Sequence, residues 1–163
     1  MEALEPFACT PNTTQDPAPF PHLSWPRADD GALDVKLRIT LLRGGERHVL
    51  SSSNLKYMYW TPYQQLAHHA ASGCGMQTGD LIGTGTISGS GTNERGEKAE
   101  LGCLYEVEMT KTPVMPAVEG GSGYYPGYLE DGDEVILEGW CEDASGKVVF
   151  GFGECRGTIA PPN

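Results

Sequence analysis

Residues 33–42 read "LDVKLRITLL", and their alternation decides the fold class. Leu33, Val35, Leu37, Ile39 and Leu41 fall on one side of an extended chain, and Asp34, Lys36, Arg38 and Thr40 on the other. Successive side chains of a strand point to opposite faces, so a period of two with one apolar face predicts a half-buried strand. The turn Arg43-Gly44-Gly45-Glu46 follows, and "RHVL" at 47–50 is expected to return as its paired strand.

Further along, "ELGCLYEVEM" at 100–109 alternates too, with Leu101, Cys103, Tyr105, Val107 and Met109 on one face. It predicts another strand. "DGDEVILEGWC" at 131–141 enters a strand through an Asp-Gly turn, and "EDASGK" reverses the chain into "VVFGFGEC" at 148–155 as a hairpin. Residues 6–30 carry six prolines and predict an extended, irregular segment, while residues 117–128 predict a glycine-rich loop. The one strong helix signal lies near 61–72. Thr61 suits the N-cap, Pro62 the first helical position, and Gln64 completes a capping box. Leu66, Ala67, Ala70 and Ala71 give an apolar stripe, and Gly73 suits a left-handed stop. The expected fold is mostly β (α+β) with this one helix, in a single domain over residues 1–163.

Composition narrows the function classes. A chain of 163 residues can build one domain with a core, and Gly 22 with Pro 12 favours short strands and turns. The formal net charge of −11, without any block of Lys or Arg, repels phosphate backbones, so nucleic acid is not an expected partner. No run of eighteen apolar residues exists that would cross a bilayer as a helix, and no membrane partner is expected. Five cysteines at 9, 74, 103, 141 and 155, without metal-finger spacing or a secretory leader, predict free thiols and a cytoplasmic location. Asn12-Thr13-Thr14 fits a glycosylation sequon but reads as a polar loop in that setting.

The candidate sites can be weighed in turn. "LIGTGTISGSG" at 81–91 is not a phosphate cradle. No Lys lies between 57 and 97, and the Gly83-Thr84-Gly85 spacing finds its next glycine at 89 with nothing helical after it. The expectation is a strand whose missing side chains admit another backbone or a ligand. His68 and His69 are adjacent on the helix, about 100° apart, whereas zinc pairs use i and i+4; one packed and one exposed imidazole is expected. Asp131, Asp133 and Glu134 belong to the Asp-Gly turn rather than to a metal loop. Cys141 and Cys155 are expected to face each other across the hairpin as buried thiols. Spacing alone favours a solvated carboxylate at Glu106.

"MEALEPF", "QDPAPFPHL", "SNLKYMYWTPYQQLAHHAASGC", "GDLIGTGTISG", "DGDEVILEGWC" and "GFGEC" occur in an order that resembles fumarylacetoacetases along almost the whole chain. The resemblance is to the C-terminal part of such an enzyme, with Met1 matching an internal methionine. It implies the mixed β-roll or sandwich of that family's C-terminal domain and a homodimer. It also implies hydrolysis of the carbon–carbon bond of 4-fumarylacetoacetate to fumarate and acetoacetate, the last step of tyrosine and phenylalanine catabolism. In the family, the calcium and magnesium ligands and the histidine that activates water precede "MEALEPF". The metal is therefore implied without ligands in this chain, and the isolated chain is expected to be inactive. Two roles carry over. Thr86 in "GTISG" matches a threonine that contacts the substrate. Glu106 in "GCLYE" matches a glutamate that orients the catalytic histidine, with Glu100 as the ungapped alternative. The competing expectation is a non-catalytic, truncated paralogue acting as an interaction module.

Overall fold

The computed structural model describes residues 2–24, 31–94, 96–111 and 127–162. They fall in two compact units, Met1–Asp34 with Leu55–Gly85, and Val35–Asn54 with Thr86–Asn163. Among the described residues the secondary structure is mostly β, arranged in two antiparallel sheets with no closed barrel.

In the first unit, β1 (Ala8–Cys9) pairs antiparallel with β2 (Ala32–Leu33) as a two-stranded sheet. The proline-rich stretch forms short 3-10 turns at Glu2–Phe7 and Pro21–Leu23, with irregular chain between them. Helix α1 spans Pro62–Ala71. Its start is as the sequence predicts: Gln64 N–H donates to the Thr61 hydroxyl, and Thr61 N–H donates to the Gln64 side-chain oxygen at 3.0 Å. Gly73 adopts φ +80 beyond its end. The apolar stripe does not do what its spacing suggests. Leu66, Ala70 and Ala71 are exposed, and Gln64, 4% exposed, is the buried residue of the helix. Its amide donates to the Gln15 oxygen at 2.7 Å and to the Leu23 carbonyl at 3.0 Å. A saturated polar side chain, not an aliphatic face, anchors α1, because each of its bonds satisfies a group that burial would otherwise penalise.

The second unit is a four-stranded antiparallel sheet in the order β4-β3-β5-β6, with β3 Lys36–Arg43, β4 Glu46–Asn54, β5 Glu134–Glu142 and β6 Val148–Thr158. The β3–β4 hairpin turns at Gly44 and Gly45, whose φ values of +59 and +84 suit the mirror-image turn that matches strand twist. Ile39 pairs with Ser51 and Thr40 with Val49, so Leu50 is an extra residue bulged from β4. The bulge turns Leu50 into the core beside Leu41, Leu101 and Val107, with Ile39, Leu104, Leu129 and Val135 packed around them. Thr40 is buried as well as Leu41, since β3 lies inside the sheet between β4 and β5. A second irregularity at Glu138/Trp140 opposes Gly153, φ +77, and Gly139 leaves space for the Phe152 ring 3.3 Å from where a Cβ would stand.

Three expectations need correction. Residues 104–110 form helix α2 (Leu104–Thr110), not a strand. The run permits both periods, and the helical one wins because Leu101, Leu104 and Val107, the last 1% exposed, reach one core, while Tyr105 and Met109 stay exposed. Burying each such aliphatic side chain contributes about 1.5–3 kcal/mol, more than intrinsic strand propensity can offset. Residues 81–91 carry no strand ladder; they are irregular chain with isolated bonds to residues 99–100. Cys141 opposes Phe150, and Cys155 opposes Leu137, because the turn that pairs Glu142 with Val148 sets the register; Cys141 is buried but Cys155 is exposed, and all five cysteines are free thiols. The expected glycine-rich loop at 117–128 lies, apart from Gly127 and Tyr128, outside the described residues.

Candidate functional site

Two serines of β4 fix the segment that carries Thr86 and the segment that leads into α2. The Ser53 hydroxyl donates to the Ile87 carbonyl at 2.5 Å, and the Ser51 hydroxyl donates to the Leu101 carbonyl. Residues two apart on a strand share a face, so one edge of the sheet holds both the chain around Ile87 and the chain leading into α2. Gly102 then brings these two segments into direct contact. A Cβ built there would stand 2.7 Å from the Ser88 hydroxyl and 2.9 Å from the Ile87 backbone. Close backbone approach, which the glycine-rich reading allowed, is therefore real, but the required glycine is Gly102.

Glu106 sits in the first turn of α2, where a carboxylate also suits the helix dipole. It is half-buried. Its Oε2 accepts the Gly102 N–H at 2.6 Å, and the Ser88 hydroxyl lies 2.8 and 2.7 Å from Oε1 and Oε2. The solvated reading of Glu106 is replaced by a held carboxylate. Glu100, the alternative, is committed elsewhere. Its Oε2 accepts the Gly91 N–H at 2.8 Å, and its carbonyl accepts the Gly89 N–H. Thr86, two residues before Ser88, is exposed, and its hydroxyl has no hydrogen bond among the described residues.

The other sequence candidates separate from this cluster. His68 and His69 are both exposed, with ring centroids 5.8 Å apart, and line a cavity of about 590 Å³ in the first unit with Phe20, His22 and Trp60. Asp133, 2% exposed, accepts Arg43 at 2.8 and 2.6 Å and the Glu130 N–H at 2.7 Å. The Arg43 hydrogen bonds hold its carboxyl below the usual range, against the opposing effect of burial. It is a structural ion pair. Burial pushes the Cys9 thiol up, with Asp34 adding to the effect. Among the described residues no group of three or more His, Cys, Asp or Glu side chains could hold a metal ion. No described helix is long and apolar enough to cross a membrane.

Ser88 and Gly102 were missed by sequence reasoning. Ser88 is one of several hydroxyls in "TGTISGS", and nothing in their spacing marks which one meets a carboxylate eighteen residues later.

Comparison with known proteins agrees with the resemblance. The family model described as fumarylacetoacetate (FAA) hydrolase C-terminal matches residues 3–160. Over 99% of its length the chain is 40% identical to the fumarylacetoacetase of Dictyostelium discoideum, 40% identical to that of Bos taurus and 38% identical to that of Homo sapiens. It spans only 35% of the first of these proteins and 36% of the other two.

Proposed function

The chain belongs to the fumarylacetoacetate hydrolase C-terminal family, and from that membership we propose that it forms the C-terminal portion of a cytoplasmic, homodimeric enzyme hydrolysing 4-fumarylacetoacetate to fumarate and acetoacetate. The match along residues 3–160 carries this reading. It favours a hydrolase over a module without catalytic function.

The reaction adds water to one carbonyl carbon of a β-diketone. The adjacent carbon–carbon bond then breaks, its electron pair leaving as an enolate that takes up a proton. Water attacks only if a base removes its proton as the bond forms. In this proposal a histidine supplied outside the present chain is that base, and Glu106 accepts its other N–H. The carboxylate fixes the tautomer and steadies the imidazolium, as a triad carboxylate does. The Thr86 hydroxyl donates a hydrogen bond to the substrate. Its exposure and its freedom from other hydrogen bonds among the described residues support that role.

The test is to purify from source cells the native polypeptide that contains this sequence and to follow fumarate release from fumarylacetoacetate. Hydrolysis is the expected result; a folded native polypeptide that leaves the substrate intact overturns the reading.

A further inference from the structure

We infer that Ser88 is a positioning residue of this hydrolase, holding the Glu106 carboxylate in the orientation that receives the base. The inference rests on the functional reading above and names a side chain that the resemblance does not.

Four observations converge. The Ser88 hydroxyl is within 2.8 Å of both oxygens of Glu106. The Gly102 N–H occupies Oε2 at 2.6 Å, so both oxygens have a donor from this chain. A carboxylate offers about four lone-pair sites, and this arrangement leaves capacity for a third donor such as an imidazole N–H. Gly102 admits this packing only because it lacks a side chain, a Cβ there meeting the Ser88 hydroxyl at 2.7 Å. Finally, the Ser53 bond to the Ile87 carbonyl fixes the residue between Thr86 and Ser88. One short segment thus presents a hydroxyl to the substrate and another to the carboxylate behind the base.

A hydrogen bond to a charged group that sets geometry should appear in turnover rather than in substrate affinity. In the complete native polypeptide, Ser88→Ala is expected to lower kcat about tenfold with KM little changed, from the usual strength of such bonds. Ser88→Thr, which keeps the hydroxyl, is expected to recover most of that loss. A purely structural role would change melting temperature and the yield of folded protein while leaving kcat per folded site intact. Wild-type kcat in folded Ser88→Ala overturns the inference. Should Ser88→Ala not fold, Ser88→Cys keeps the side chain's size with a weaker donor; its kcat should fall, and a wild-type value overturns the inference equally. An inactive wild-type polypeptide removes the functional reading and this role together, whereas an active wild type with an unaffected Ser88→Ala removes this role alone.

Discussion

Thr86 and Glu106 make separable demands on an experiment. In its proposed role, replacing the exposed Thr86 hydroxyl by a methyl in Thr86→Val removes one hydrogen bond to substrate, and the exposed position disturbs no packing. KM should rise about three- to tenfold, the value of one neutral hydrogen bond, with an unchanged melting temperature. Steady-state kinetics of the complete polypeptide check this. Glu106→Ala, in the proposed role, removes the carboxylate that orients the base, and kcat should fall by about two to four orders of magnitude. Glu100→Ala is the control. Its carboxylate is spent on Gly91, so loss of turnover in that variant, with Glu106→Ala unaffected, would move the role. Sequence resemblance assigned proposed roles to Thr86 and Glu106 because each stands in a short local motif. Ser88 and Gly102 work through a contact between distant segments, and no local spacing encodes that.

Elements were legible where local chemistry specifies them. The capping box at Thr61 and Gln64, the paired glycines at 44–45 and the Asp-Gly turn at 131–132 all dictate backbone geometry without help from the rest of the chain. Helix α2 was not legible, because "LGCLYEVEM" satisfies two periods and only the core around Leu41 and Leu50 chooses between them. The apolar stripe of α1 misled for a related reason. Four small or exposed apolar positions add little burial, while Gln64 with its bonds to Gln15 and Leu23 decides which side turns inward. Gly102 is a tight joint between two segments. Gly102→Ala must push a methyl against the Ile87 backbone at 2.9 Å, and backbone cannot swing aside as a flexible side chain would. A loss of about 1–3 kcal/mol is expected, as in other overpacked sites, read from the denaturant midpoint. Turnover should fall as well, since the displaced amide is a donor to Glu106.

At the scale of the whole chain, charge and an exposed edge act together. The formal net charge is −11 at pH 7 and the isoelectric point about 4.6. Strand β6 is an eleven-residue edge strand, exposed along most of its length, with Phe152 59% exposed and Val148 and Val149 exposed beside it. Long exposed edges with apolar side chains recruit other strands, and like charge is what keeps them apart. Acid removes that protection and also weakens the fold. The Asp133 carboxyl is held below its ordinary value by Arg43, and Glu138 below its own by Arg38. A group whose folded-state pKa is depressed contributes stability that is complete above its unfolded value and is lost as pH falls through the folded one. Both terms therefore run the same way below the ordinary carboxylate range. The 163-residue chain should lose denaturant stability progressively as the pH drops from that range through the lower folded-state values of Asp133 and Glu138. Asp133→Asn should lower stability at neutral pH and flatten its pH dependence, because the proton-linked contribution is gone. Light scattering should rise near pH 4.6 and fall back when a lysine is placed on the open edge, as in Val149→Lys. Scattering that ignores both the pH and the lysine would show that β6 is not the surface through which the chains meet.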